Sequence, residues 1–182
     1  MSHDESLSPK QRYDRARYQR LRAEKAAQRK PDLISLLTDP ELAYIAGLTD
    51  ADGSVYVTHT NRLRTYYPAV TWAMIHRPTI DWLCQALGGT KVMLNNHTSL
   101  RRGTTSWGSS NFRPQWRTIV AGSRAQLLCQ RMHPYMITKR EQAELVIAFP
   151  VDARRAPGVT LPEEIRQRRI ELGEQISALN HS

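Results

Sequence analysis

Apolar residues along the chain recur with two different periods, and their order predicts the fold. In "LTDPELAYIAGLTDADG", from Leu37, apolar and small residues continue over several turns without alternation, which predicts a helix ending near Asp50 or Ala51. Asp39 is the expected cap, Pro40 suits the first helical position, and Glu41 favours the positive end of the helix dipole. Gly53 is expected to allow the turn out. "SVYVTHTNR" then alternates apolar and polar residues, as does "LRTYYPAVTWAMI", so two strands paired as a long hairpin are expected. "RPTIDWLCQALGG" returns to helical spacing and stops at glycine. "TKVMLNN" and "QWRTIVA" read as two further strands, separated by the Gly- and Ser-rich loop "HTSLRRGTTSWGSSNFRP". "SRAQLLCQRMHPYMI", "KREQAELVIAFP" and "LPEEIRQRRIELGEQISALN" read as C-terminal helices. The order α-β-β-α-β-β-α-α-α predicts an α+β domain with helices on one face of an antiparallel sheet.

Residues 1–37 depart from this pattern. "SPKQRYDRARYQRLRAEKAAQRKPD" is rich in helix formers, but Tyr13, Tyr18 and Leu21 give only a thin apolar stripe. A basic N-terminal extension, helical or flexible, is therefore expected over 1–37, and one domain over 38–182. The 182 residues suffice for one real core. Lys and Arg outnumber Asp and Glu 26 to 17, a formal charge of +9, so the surface suits a polyanion, most simply nucleic acid. Cys84 and Cys129 lie inside apolar helical patterns and read as buried free thiols of an intracellular protein, with no metal-type spacing. No apolar run approaches membrane-spanning length and the N-terminus lacks a signal-peptide core, so a soluble protein is expected; cytoplasm, nucleoid and organelle stay open.

Within the first apolar helix, Ala43, Gly47 and Ala51 are spaced by four and share one face. A face of small residues packs closely, either on the chain's own core or on a second helix. At the C-terminal end of the helix, on either side of Ala51, stand Asp50 and Asp52. A helix C-terminus already carries the negative end of the dipole, so two carboxylates there suit a cation and repel phosphate. A divalent metal bridging carboxylate, phosphate and water resolves that conflict in a basic protein, and hard oxygen ligands with open water positions suit Mg²⁺. The alternative is a capped turn before Gly53.

"IAGLTDADGS", Ile45 to Ser54, closely resembles the signature helix of LAGLIDADG homing endonucleases, with Thr49 the one polar departure. The flanking element order agrees over roughly residues 38–180. The resemblance implies an αββαββα core whose antiparallel β-saddle lies on DNA, followed by C-terminal helices. It implies that Asp52 is the metal ligand, with the main-chain carbonyl of Ala51 beside it, and that Asp50 serves the helix end. It implies Mg²⁺, with Mn²⁺ able to substitute. "TKREQAELV" resembles the family segment carrying a basic partner for the scissile phosphate, which makes Lys139 a second catalytic residue. The family often has a Gln at the end of the second strand; here Met74 stands there, with His76 nearby. The chain holds one signature helix, so the resemblance implies a homodimer through Ala43, Gly47 and Ala51.

Alternation divides the strands into two faces. Val55, Val57, Val70 and Trp72 read as core. Tyr56, Thr58, Thr60 and Arg62 then face DNA from the first strand, and Thr65, Tyr67 and Thr71 from the second. Asn95, Gln115 and Arg117 are the candidates on the later hairpin, with Arg101, Arg102 and Arg113 in its loop. Arg pairs well with guanine, and Asn or Gln with adenine. Trp107, Phe112 and Trp116 read as hairpin packing. The expected protein is a free-standing, site-specific double-strand DNA endonuclease of intron mobility. It would cut a long, roughly palindromic target by metal-dependent phosphodiester hydrolysis and leave short 3′ overhangs. The competing expectation is a non-cleaving nucleic-acid binder on the same scaffold, an intron-splicing maturase or a transcription factor.

Overall fold

The computed structural model describes residues 9–27, 31–60, 65–88, 93–95, 115–151 and 161–181. The chain divides into two units, Met1–Asp32 and Leu33–Ser182. In the first, Pro9–Ala27 forms helix α1, whose Tyr13, Tyr18 and Leu21 are all exposed. The thin stripe seen in the sequence buries nothing there, and an Arg20–Glu24 ion pair one turn apart lies in solvent.

The second unit begins earlier than residue 38. Leu33–Leu36 forms a 3-10 turn, and Ile34 and Leu37 are buried in the core. Arg131 fastens this segment by donating to the carbonyls of Ile34 (2.9 Å) and Leu37 (2.8 Å). The compositional break that suggested residue 37 therefore falls inside the folded unit, because two aliphatic side chains suffice to recruit a short turn. Helix α2 follows at Asp39–Asp52. Its N-cap is Thr38, not Asp39: the Glu41 carboxylate accepts from the Thr38 N–H (2.8 Å) and hydroxyl (2.7 Å), a contact in which Glu three residues on satisfies the cap residue's own amide.

Strands β1 (Gly53–Thr60), β2 (Thr65–Met74), β3 (Met93–Asn95) and β4 (Gln115–Ala121) form one antiparallel sheet in the order β1-β2-β4-β3. The register aligns Val55, Val70 and Val120 in one row, and Gly53, Trp72 and Thr118 in the next. Those side chains meet α2 and the helices α3 (Arg77–Ala86), α4 (Ser123–Met132), α5 (Arg140–Ile147) and α6 (Glu163–Leu179) in one core. All five helices therefore cover one face of the sheet, as the period-2 pattern required. Polar anchors hold the outer layer. Asn180 donates to the Val55 carbonyl (3.0 Å), and buried Arg169 donates to the carbonyls of Pro150 and Tyr66 while lying over the Phe149 ring. Cys129 is buried, and desolvation pushes its thiol up to about 12; Cys84 is only half-buried, with its thiol donating to the Thr118 hydroxyl (3.3 Å).

Candidate functional site

The C-terminal end of α2 is where the candidate acids and the candidate lysine meet. Asp50 is turned back into the protein. Its carboxylate accepts the backbone N–H of Ile137 (2.7 Å) and of Lys139 (2.9 Å), and so holds the turn that leads into α5. Burial alone would raise its pKa, but these N–H groups outweigh it and keep the carboxyl below the usual range. Asp50 thus ties two elements together, a role wider than the service to its own helix end suggested by the sequence. Lys139 completes the junction: its ammonium donates to the carbonyls of Thr49 (2.8 Å), which also takes the Gly53 N–H, and of Asp50 (2.7 Å), which also takes the Thr138 hydroxyl (3.3 Å). A lysine has three such N–H groups, and no described residue accepts the third.

Asp52 is the opposite case. It is exposed, and among the described residues no hydrogen bond or ion pair holds its carboxylate. The Ala51 carbonyl lies in the same last turn, where helical carbonyls lack a partner four residues on. Two oxygen donors at the negative end of a helix fit a hard divalent cation. They do not complete its coordination: no cluster of three or more His, Cys, Asp or Glu that could hold a metal occurs among the described residues.

Gly53 is needed for a reason other than the turn expected. Its φ of −82° is open to any residue. Space is what forbids a side chain, since a Cβ there would lie 2.6 Å from the Thr49 Cα and 2.9 Å from the Thr49 carbonyl oxygen. The helix-to-strand passage is so tight that β1 leaves directly against the last turn of α2. Thr49 itself, the polar departure in the apolar motif, is fully buried and bonded. Its hydroxyl donates to the Ile45 carbonyl (2.7 Å) and accepts the Trp72 indole N–H (3.1 Å). It thereby links the motif helix to the central strand β2.

On the outer side of α2, Ala43, Gly47 and Ala51 are exposed, whereas Leu42, Ile45, Ala46 and Thr49 are buried. The small-residue face does not pack on the chain's own core, and a Cβ added at Gly47 would meet nothing within 4 Å.

The sheet register settles which strand residues share the face away from the helices. Tyr56 lies opposite Ala69, Thr58 opposite Tyr67, Thr60 opposite Thr65, and Ser54 opposite Thr71. Arg117 lies between Ala73 and Met93, and Gln115 opposite Asn95. Tyr56, Thr58, Tyr67, Gln115 and Arg117 are all partly accessible there. Thr71 is less available than expected, being buried with its hydroxyl donated to the Thr118 carbonyl (2.9 Å). Burial raises the Tyr56 phenol, against the lowering charge of nearby Arg117, so Tyr56 is neutral and a donor near neutral pH. Met74 packs against the core, while His76 is exposed with its ring on the Thr79 hydroxyl (2.7 Å). Trp116 also packs against the core and carries the Arg77 guanidinium 4.5 Å from its ring centroid. Arg62, Arg101, Arg102, Arg113, Trp107 and Phe112 lie outside the described residues.

No protein-family model matches the sequence, and no curated protein does. Solved structures do. The homing endonuclease I-CvuI, in complex with the I-CreI target at 2 mM Mg with the DNA not cleaved, is 18% identical with a TM-score of 0.55 over 77% of this chain and 82% of that one. The archaeal intron-encoded homing endonuclease I-Vdi141I, complexed with DNA, is 16% identical with a TM-score of 0.56 over 78% of this chain and 84% of that one. The LAGLIDADG homing endonuclease I-GzeII, in complex with its DNA target, gives 13% identity and a TM-score of 0.50 over 72% of this chain but 43% of its own. The fold is that of the LAGLIDADG homing endonucleases. Within this fold, α2 has a buried apolar side, an exposed outer side of small residues and an acidic tip. Sequence reasoning singled out the tip and the face. It missed the Thr49–Trp72 bond and the clasp of Asp50 on residues 137–139, although a threonine amid apolar motif positions was a visible sign of the first.

Proposed function

We propose that this protein is a site-specific double-strand DNA endonuclease that acts as a homodimer. The observation that carries the reading is the split between the two acids on a LAGLIDADG-like fold. Asp50 is consumed by structure, while Asp52 is exposed, without a partner among the described residues, at the end of a helix whose outer Ala43, Gly47 and Ala51 are exposed. The Asp52 carboxylate and Ala51 carbonyl would hold Mg²⁺, with DNA phosphate and water as further oxygen ligands. When bound, such an ion lowers the pKa of a water and offsets charge on the scissile phosphate. Lys139 acts as a charge: two carbonyls hold its ammonium in place, and its remaining N–H is available to a phosphate oxygen as negative charge develops. The open face of the sheet supplies neutral donors and acceptors for base edges in the major groove, which admits a two-stranded ribbon. The basic extension and loops add phosphate contacts.

Two copies related by a two-fold axis would meet through Ala43, Gly47 and Ala51 and bring two Asp52 tips together over one duplex. Each copy covers about one helical turn, or ~10 bp, so the target is roughly palindromic. Gly47→Ala tests the pairing. In a single chain it is expected to be neutral or to stabilise α2 by roughly 0.5–1 kcal/mol, since the added methyl meets nothing. In the dimer the same methyl enters the closest approach twice and is expected to cost about 1–3 kcal/mol of association. Sedimentation should show the shift toward monomer while circular dichroism stays native; an unchanged association constant would place the interface elsewhere.

Cleavage itself is tested on a library of long near-palindromic duplexes. With Mg²⁺ the purified chain should yield double-strand breaks with short 3′ overhangs, and with Ca²⁺ a protected footprint without breaks. Equal footprints and intact DNA under both ions would identify a binder that does not cut.

A further inference from the structure

Arg117 is the one charged residue that the register places on the open sheet face among the described positions of β1 to β4, and no carboxylate shares that face. Its guanidinium makes no hydrogen bond or ion pair with any described residue. The Nε is sealed from solvent without an acceptor. A buried charged donor without a partner is costly, and arginines so placed are normally paired within the protein. Arg117 as a whole is only partly accessible, and no described residue accepts a hydrogen bond from its Nη groups.

The position of the strand says what that ligand is. β4 is an inner strand of the sheet, between β2 and β3. Inner strands of a ribbon laid in the major groove run over base edges, whereas edge strands and loops meet the phosphates. The partner across β2 is Ala73, whose methyl leaves room above it. The neighbouring polar group is the Tyr56 phenol, close enough to feel the Arg117 charge. A planar fork facing base edges with no competing acid matches the paired O6 and N7 acceptors of guanine. The same register puts Arg117 one residue beyond the row of Gly53 and Trp72, on the side of the sheet where α2 ends. We infer that Arg117 reads a guanine in each half-site, at a position on the inner side of the half-site toward the acidic tip. This inference rests on the DNA-binding reading above and adds the base and the residue that selects it.

The test is selection of bound duplexes from a randomised library by the full chain in Ca²⁺, repeated with Arg117→Lys and Arg117→Gln. The unmodified chain should show one strong guanine column per half-site, with a preference of about 5- to 150-fold over other bases. Arg117→Lys keeps the charge but loses the fork, and should flatten that column alone. Arg117→Gln should shift it toward adenine. A guanine column that survives both substitutions overturns the inference. So does a uniform loss of affinity in Arg117→Gln, with a salt slope shallower by about one and no change in base preference, since that is the behaviour of a phosphate contact. A chain that selects no sequence at all would remove the DNA-binding reading first, whereas a specific profile indifferent to Arg117 removes this inference alone.

Discussion

Asp52→Asn is expected to abolish DNA cutting while leaving DNA affinity and thermal stability near those of the unmodified chain. Among the described residues the Asp52 carboxylate has no hydrogen-bond or ion-pair partner, so an isosteric amide there breaks no contact with any of them. What it removes is the anionic oxygen offered to a hard cation, together with the charge that would attract it to the helix end. Metal assistance in phosphoryl chemistry is worth several kcal/mol, and each 1.36 kcal/mol is tenfold in rate. A fall of roughly 10³-fold or more in single-turnover cleavage is therefore expected. Binding should persist or strengthen, because one negative charge near the phosphates has gone. The contrast with Asp50 sharpens the test. Asp50→Asn strips a carboxylate that accepts two backbone N–H groups and holds the turn carrying Lys139, so it should lower stability as well as cutting. If Asp52→Asn cut at the normal rate, the metal ligand would have been assigned to the wrong acid.

Gly53→Ala is the substitution with the largest expected effect on folding. Alanine is at ease at φ −82°, so torsional strain is not the cause. The methyl group would lie 2.6 Å from the Thr49 Cα and 2.9 Å from its carbonyl oxygen, and both are backbone atoms of the helix that cannot swing aside. Relief requires α2 and β1 to part. That movement would disturb the Thr49–Trp72 hydrogen bond and the seat of Lys139 on the Thr49 carbonyl. The cost is expected at about 3 kcal/mol or more, at the upper end for overpacking, which for a domain of this size is roughly 6–12 °C in Tm. Urea unfolding should show a lower midpoint at an unchanged slope. Stability equal to the unmodified chain would mean that the helix-to-strand junction is looser than 2.6 Å implies. Gly47→Ala, six residues earlier in the same motif, carries the opposite expectation for the single chain, so the two glycines separate packing inside the fold from packing between copies.

Several features were legible in the residue order because they depend on local period and on topology. The alternation in "SVYVTHT" and "YYPAVTWAM" fixes which side chains point together, and the observed register keeps Val55, Val70 and Trp72 on one face with Tyr56, Tyr67 and Arg117 on the other. The spacing of Ala43, Gly47 and Ala51 likewise survives as a shared exposed face. What failed was local detail set by competition among neighbours. Asp39 and Thr38 are both good caps, and the choice fell to Thr38 because Glu41 reaches it. Leu33–Leu36 looks like linker by composition, yet Ile34 finds a place in the core.

The sequence by itself determined the order of elements, the two faces of the sheet, and a helix with a small-residue side and two acids at its tip, because periodicity and residue size are properties of the chain. Only the tertiary structure decided which acid is free. Asp50 and Asp52 are two residues apart and chemically alike. Their fates diverge because residues 137–139, distant in sequence, fold back to offer two N–H groups to one carboxylate and none to the other. Long-range contacts of that kind leave no period in the sequence, and they separate a structural acid from one that can serve a metal.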